Sequence, residues 1–176
     1  MIVDKTFWGV SMGKLKRLLI LLFLVTGLSQ AFAKQLCFQI IQHDKAADNI
    51  TEESLVVEDQ VLNSFFDYGF IVTNSNAAIS ASQSQNEKLF NQGLSEAFNG
   101  FADYFVQINL YFEGGEKEIS KSSDLEKVTF KLARTNTGKI IAEKSFNNAK
   151  HENKNDDLKK FSSSLAAEIN KALQSE

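Results

Sequence analysis

One cysteine and two histidines are the side chains best suited to nucleophilic, acid–base or metal chemistry. Cys37 has no second cysteine, so neither an intrachain disulfide nor a cysteine-rich zinc site can form. Both histidines, His43 and His151, are predicted in loops, and neither has the spacing of paired metal ligands. Asp44 follows His43 directly, but we interpret this pair as an exposed histidine beside an acid and not as a catalytic pair.

Acidic and glycine-rich segments give no stronger signal. Glu113-Gly-Gly-Glu116 and Glu118 form an acidic turn, yet the turn lacks the alternating aspartates of a calcium loop, and we interpret it as solvated. The sequence contains no phosphate-binding glycine loop and no G-x-S-x-G nucleophile motif. We therefore predict a protein that is not an enzyme, with no catalytic, cofactor-binding or metal-binding residues. A hydrolase with dispersed residues is the alternative, and it would lose activity on substitution of His43 or His151.

The N-terminal residues 1–33 have the three parts of a secretory signal peptide. A basic patch at 14–17 precedes an apolar run at 18–25, and the segment ends in the A-x-A pattern Ala31-Phe32-Ala33. The run is shorter than the roughly 20 residues of a membrane-spanning helix, so a signal anchor is the less favoured alternative. Met12 lies just before the basic patch and is a candidate for the true start.

Cleavage after Ala33 would leave residues 34–176 as one domain in the periplasm. This part has 15 Lys and Arg against 21 Asp and Glu, and no basic stripe. Nucleic-acid binding requires clustered Lys and Arg, so we predict no nucleic-acid partner. Cys37 lies near the predicted cleavage point, but Lys34-Gln35-Leu36 does not supply the small residues that precede a lipidated cysteine. We predict that Cys37 is a small buried residue of the first strand. Lipidation, which would anchor the chain to the outer membrane, and an intermolecular disulfide are the alternatives.

Hydrophobic periodicity predicts an α/β domain with the order β-α-β-α-β-β-β-α. The predicted strands cover residues 36–41, 70–73, 103–112, 128–132 and 139–146, and the predicted helices follow Thr51, Ser84 and Asn155. Helices connect the first three strands, so these should be parallel, whereas the last three should form an antiparallel meander. The result is a mixed sheet with helices packed on it.

Local signals set the predicted boundaries. Thr51 is suited to cap the first helix, which Gly69 ends, and its apolar positions are Leu55, Val61, Leu62, Phe65 and Phe66. Ser84-Gln85-Asn86-Glu87 matches a capping box for the second helix. The aromatic stripe of this helix (Phe90, Phe98 and Phe101) is predicted in the core, with a ligand groove as the alternative. Asn136-Thr137-Gly138 predicts a hairpin turn, residues 74–84 a loop, and Asn155 a cap for the last helix. The apolar face of this last helix is predicted at Leu158, Phe161, Leu165, Ile169 and Ala172 or Leu173.

Three segments of the domain resemble a group of bacterial envelope proteins. Residues 102–109 (ADYFVQIN) resemble the strand after their second helix, residues 128–141 (VTFKLARTNTGKII) resemble their hairpin, and residues 68–72 (YGFIV) resemble the glycine entry to their second strand. The group includes LpoB-type activators of penicillin-binding proteins, CsgG-type curli secretion lipoproteins and the N-terminal domain of TolB. The likeness spans residues 36–174 and implies an α/β fold resembling the anticodon-binding domain.

The resemblance implies a protein-binding module of the cell envelope. An LpoB-like protein would dock on a bifunctional peptidoglycan synthase and raise its activity, and a CsgG-like protein would build an outer-membrane pore. The chain lacks the long tether of LpoB proteins and an evident pair of membrane-inserting hairpins. We therefore predict a non-enzymatic periplasmic accessory or adaptor protein that binds another envelope protein, including a regulator of a peptidoglycan synthase. The alternatives are a periplasmic small-ligand carrier with a Phe-rich pocket, and a component of an outer-membrane secretion apparatus.

Overall fold

The computed structural model describes residues 33–44, 47–113, 124–147 and 154–176. The predicted signal segment up to Phe32 lies outside these ranges, so the signal peptide stays a prediction. Among the described residues, no helix is both long and apolar enough to cross a membrane.

The described residues form six strands and three helices in the order β-α-β-β-α-β-β-β-α. The strands are β1 (Gln35–His43), β2 (Ile71–Asn74), β3 (Ala78–Ile79), β4 (Tyr104–Glu113), β5 (Asp124–Arg134) and β6 (Ile140–Asn147). The helices are α1 (Glu52–Asp67), α2 (Gln83–Asn99) and α3 (Lys154–Gln174). The predicted α/β class is confirmed, but β3 lies in the segment predicted as a loop. A two-residue strand is too short to show an alternating pattern in the sequence. It is defined only by its pairing with Ile41 and Gln42 of β1.

The sheet is mixed, with the strand order β2-β1-β4-β5-β6 and β3 also paired to β1. Strand β1 runs parallel to β2, β3 and β4, because α1 and α2 return the chain to the same edge before β2 and β4 begin. Strands β4, β5 and β6 form the predicted antiparallel meander. The N-terminal strand therefore lies inside the sheet, between strands that follow it in the sequence.

One face of the sheet is covered by two helices. Strand residues such as Phe38, Ile108 and Phe130 alternate toward this face and pack with α1 and α3 in the larger apolar core. The two helices also contact each other, since Gln60 Nε2 donates a hydrogen bond to Ser163 Oγ at 3.1 Å. The predicted apolar face of α3 is confirmed by the burial of Leu158, Leu165, Ile169 and Leu173.

The opposite face is covered by α2 alone. Here Cys37, Phe105 and Ala133 of the strands pack with Phe90 and Ala97 of the helix in a much smaller core. The helix approaches the strands closely at Gly93, where an added Cβ would overlap the Phe105 ring. The buried residues of α2 are Asn86, Phe90, Gly93 and Ala97.

Polar side chains fix the start of α1. Thr51 is the N-cap, as predicted, and its Oγ1 accepts a hydrogen bond from the Ser54 amide at 3.3 Å. The buried Gln42 of β1 completes this arrangement, because its Oε1 accepts from the Thr51 amide and from Ser54 Oγ, each at 2.8 Å. The first strand and the first helix are therefore joined at a buried polar point.

The start of α2 differs from the prediction. Its N-cap is Ser82, whose Oγ accepts from the Gln85 amide at 3.3 Å, while Gln85 Oε1 accepts from the Ala81 amide at 3.1 Å. The capping pair is thus Ser82 and Gln85 and not the predicted Ser84 and Glu87, and it differs from a strict capping box because Gln85 reaches the amide of the residue before the cap. The reason is the brief β3 pairing, which ends at Ile79 and lets the helix begin two residues earlier than the predicted box.

Two further predictions concern the turn between β5 and β6 and the start of α3. Gly138 has a φ of 67°, which confirms the tight turn between β5 and β6. Asn155, predicted as a cap, lies inside α3, which begins at Lys154. Asp156 and Asp157 lie in the first helical turn, where acidic side chains stabilise a helix through its dipole.

Candidate functional site

Exposed apolar side chains collect at one end of the domain. Because β1, β2 and β4 are parallel, the C-termini of α1 and α2 both lie where these strands begin, and the β5–β6 turn lies beside the start of β4. The exposed large apolar residues at this end are Phe66, Tyr68, Ile71, Phe98, Phe101 and Ile140. We call this set the apolar end. The sequence did not predict it, because each residue belongs to an apolar pattern that is typical of burial.

Helix α1 ends in a Schellman motif with glycine at its left-handed position. The Gly69 amide donates to the Phe66 carbonyl at 2.9 Å, and the Phe70 amide donates to the Phe65 carbonyl at 3.2 Å. Gly69 has a φ of 84°, the left-handed region that glycine adopts without steric cost. The prediction that Gly69 ends the first helix is confirmed, whereas Phe66, predicted in its apolar face, is 73% exposed.

Helix α2 ends in the same motif with phenylalanine at that position. The Phe101 amide donates to the Phe98 carbonyl at 3.0 Å, and the Ala102 amide donates to the Ala97 carbonyl at 2.9 Å. Phe101 has a φ of 62°, and it is the non-glycine residue with positive φ among those described. For a residue with a bulky side chain this conformation costs roughly 1–2 kcal/mol.

The Phe101 side chain gains little burial within the domain in return. It is 84% exposed, and Phe98 is half-exposed, so the prediction that Phe90, Phe98 and Phe101 form a core stripe is correct only for Phe90. The stripe fails because Gly93, which contacts the Phe105 ring, turns the buried face of α2 toward Ala97 and away from Phe98.

The backbone around Phe101 is held in place from the neighbouring hairpin. Thr135 Oγ1 donates to the Ala102 carbonyl, and the Thr135 amide donates to the Asp103 carbonyl at 3.0 Å. The Asp103 carboxylate in turn accepts from the Gln35 amide at 2.8 Å. Left-handed conformations of non-glycine residues persist where the surroundings determine them in this way, and they are concentrated at functional sites.

Charged side chains flank the apolar end on the hairpin side. Glu176 Oε1 lies 3.2 Å from Arg134 Nη2 and 3.3 Å from Lys139 Nζ. The hydrogen bond from Lys139 lowers the pKa of the Glu176 carboxyl below its usual value. The three groups are on the surface, so they add little to stability.

The predicted chemistry-bearing residues do not converge at this end. His43 lies at the far end of β1, where its ring stacks on Tyr111 with centroids 4.2 Å apart and its Nε2 lies 3.4 Å from Asn109 Oδ1. Partial burial lowers the pKa of His43, and hydrogen bonds to Asn109 and to the Ser80 backbone oppose that shift. His43 is the last residue of β1 and is only partly exposed, which corrects the prediction of an exposed histidine in a loop, and Asp44 beside it is buried.

Cys37 is buried in β1, as predicted. It is 5% exposed, it packs in the core beneath α2, and its Sγ lies 3.8 Å from Ser75 Oγ. His151 and the acidic turn around Glu116 and Glu118 lie outside the described residues. Within the described ranges, no group of three or more His, Cys, Asp or Glu side chains is arranged to hold a metal ion.

The fold is similar to several solved structures. PelC from Paraburkholderia phytofirmans, described as a dodecamer, is 16% identical with a TM-score of 0.43, covering 81% of this chain and 88% of PelC. Lipoprotein GNA1162 from Neisseria meningitidis is 10% identical with a TM-score of 0.42, covering 78% and 99%. The LpoB C-terminal domain from Salmonella enterica is 14% identical with a TM-score of 0.40, covering 74% and 94%.

Among curated proteins, none matches the chain. A family model with the description "Uncharacterised protein" matches residues 35–175, which include all six strands and all three helices of the described structure. The chain therefore belongs to this family.

Proposed function

We propose that this chain is a non-enzymatic accessory protein of the cell envelope that binds another envelope protein through its apolar end. The observation that carries the proposal is Phe101, an aromatic residue in a left-handed conformation with 84% of its side chain exposed. The secretory pattern of residues 1–33 supports the location. The resemblance to LpoB-type activators makes a peptidoglycan synthase the first partner to test.

The energetics of Phe101 favour a partner over a stability role. Glycine at this position would avoid the steric cost of roughly 1–2 kcal/mol, as Gly69 does at the end of α1. Full burial of a phenylalanine side chain in a partner's pocket contributes about 1.5–3 kcal/mol, which offsets that cost only in the complex. Aromatic residues near the centre of an interface often carry much of its binding energy.

The neighbouring residues suit a docking surface. Phe98 lies on the same helix end, and Ile71 and Ile140 lie at the beginnings of the strands on the same face of the sheet. Arg134 and Lys139 stand at the border of this region. An apolar centre with a charged rim is the usual composition of a protein–protein interface.

Site-specific photo-crosslinking in cells tests the proposal. A photoreactive phenylalanine analogue is placed at Phe101 in the full chain, and the captured protein is identified by mass spectrometry. The matched control carries the same analogue at Lys159, an exposed position near the start of α3 at the opposite end of the domain. This control distinguishes specific contact at the apolar end from crosslinking to any abundant protein that touches the surface.

We expect one envelope protein to be captured from position 101 and not from position 159. Capture of a peptidoglycan synthase would identify the regulator form of the proposal. Capture of only a second copy of this chain would replace the adaptor by a self-associating protein. Equal capture from both positions, or none from position 101, would overturn the proposal.

A further inference from the structure

A polar groove lies on the sheet face that α2 covers incompletely, at the end opposite to the apolar end. Its volume is about 330 Å³, and its walls come from the first turns of α2 and from β4, β5 and β6. A second cavity of about 650 Å³ adjoins it and shares Gln83, Asn86 and Tyr111. The combined space is in the range of small-molecule sites.

The floor of the groove is formed by strand side chains that point to the face opposite the larger apolar core. Gln107, Asn109 and Tyr111 of β4 point away from the helix pair α1 and α3, and they are followed across the sheet by Lys131, Thr129 and Lys127 of β5. Gln107 and Asn109 are buried. Three cross-strand pairs of β4 and β5 therefore place hydrogen-bonding side chains on the groove floor.

Most of these groups are held by neighbours. Asn109 Nδ2 donates to Thr129 Oγ1 at 3.3 Å, and Gln107 Nε2 donates to the Asn86 carbonyl at 3.3 Å. Asn86 Oδ1 is the exception on the groove wall: the residue is 5% exposed, and this oxygen accepts no hydrogen bond within the described structure. A buried acceptor without a donor is unfavourable, so a ligand hydroxyl or amide group that reached this oxygen through a small shift of the groove wall would stabilise it.

The charges at the groove are mixed. Lys131 Nζ lies 4.5 Å from the centroid of the Phe90 ring, and Lys127 Nζ lies 5.5 Å from that of Tyr111, so each ammonium is held over an aromatic ring. Glu87 and Glu143 also line the groove. Lys144 lines it as well, but its Nζ is paired with Glu168 Oε2 at 2.8 Å. The two remaining lysines and the two glutamates favour neither a polyanion nor a polycation.

We infer that this groove binds a neutral, hydroxyl-rich ligand of the saccharide class. Amide and hydroxyl side chains can both donate and accept, which matches the hydroxyl groups of a sugar. Phe90 and Tyr111 line the groove too, although Lys131 lies over the first ring and Lys127 and His43 over the second, so they add only limited apolar contact beside the polar groups. The site is independent of the partner surface proposed above, because the two lie at opposite ends of the parallel strands.

Calorimetric titration of the full chain tests this inference with neutral oligosaccharides (maltooligosaccharides and N-acetylglucosamine oligomers) and with the polyanion polygalacturonate. The test variant is Asn86→Ala, which removes the unpartnered oxygen and keeps the carbonyl that Gln107 contacts. The matched control is Asn91→Ala, the same change on the exposed side of α2. Thermal unfolding of each variant is measured in parallel.

We expect a neutral oligosaccharide to bind the native chain and Asn91→Ala alike. Asn86→Ala should bind at least about tenfold more weakly without a lower unfolding temperature, because the lost acceptor had no partner. Absence of neutral-saccharide binding at millimolar concentration, equal binding by Asn86→Ala, or preference for polygalacturonate would each overturn the inference. Phe101→Gly should bind the saccharide normally, which distinguishes failure here from failure of the proposed function.

Discussion

The ends of α1 and α2 have the same backbone geometry and opposite residue choices. Both helices end in a Schellman motif with two hydrogen bonds of 2.9–3.2 Å, and both lead into a parallel strand that flanks β1. Helix α1 has Gly69 at the left-handed position, whereas α2 has Phe101. Since the motif is common to both, the difference lies in the residue: glycine adopts the left-handed conformation without steric cost, whereas Phe101 adopts it at a cost and leaves its ring exposed.

The largest expected effect concerns binding. Replacing Phe101 by glycine keeps the motif and removes the aromatic ring, so the affinity for the partner found by crosslinking should fall at least about tenfold, or about 1.4 kcal/mol. Phe66→Ala is the comparison at the α1 end, because Phe66 is exposed on ordinary helical backbone. Binding by purified variants is the measurement. An equal loss for both variants would contradict a special role of the left-handed position at the end of α2.

Gly69→Ala should lower the free energy of unfolding by about 1 kcal/mol, because alanine disfavours the left-handed conformation. A Cβ at Gly69 would meet nothing within 4 Å, so a clash cannot contribute. Urea unfolding monitored by circular dichroism measures the change. An unchanged midpoint would contradict the left-handed geometry at this helix end.

Phe101→Gly should change stability in the opposite direction, by up to about 1 kcal/mol in favour of the folded state. The variant replaces an exposed phenylalanine in a strained backbone conformation by glycine, which adopts this conformation without steric cost. The double variant with Gly69→Ala should return close to the native value, within about 0.5 kcal/mol, because the two motifs join different residues. A destabilised Phe101→Gly would show that the ring contributes to the fold.

The smallest effect is that of pH. Burial lowers the pKa of His43, so the unfolded chain takes up its proton more readily than the folded chain as the pH falls below 6.5. Stability should be constant above that pH and should decrease from about pH 6.5 toward pH 5, and His43→Gln should reduce this loss. The difference between the Gly69 and Phe101 variants should stay unchanged, because His43 lies at the other end of the domain. A pH-dependent difference would link the two ends.

Long periodic patterns predicted the fold because burial repeats along them. The alternation along β4 and the apolar spacing along α3 each extend over enough residues to distinguish a strand from a helix. The turn between β5 and β6 had its own local signal in Gly138. The same reasoning placed Cys37 inside the first strand, where β2 and β4 enclose it. Only the two-residue β3 lacked any local signal, because its pairing with β1 defines it.

The sites could not be predicted in the same way. Ser82 and Ser84 each begin a plausible capping box, and the choice depends on where β3 ends. Phe98 and Phe101 continue the spacing of Phe90, and only the contact between Gly93 and the sheet shows that the buried face turns away from them. One signal was available, because Gly100-Phe101-Ala102 places Phe101 just beyond a helix end, as Gly69 is placed after α1. The carrier alternative supposed a Phe-rich pocket, whereas the groove is lined mainly by polar side chains.

The interior position of β1 has a consequence for the order of folding. The Gln35 amide bonds to the Asp103 carboxylate across 68 positions of the sequence, and β1 separates β2 from β4. The β4–β5–β6 meander can form from local contacts, but the parallel half of the sheet must wait until the first strand inserts. Such distant pairings slow folding, and a chain whose first strand is placed late would stay longer in an extended form, which would suit the export that the pattern of residues 1–33 predicts.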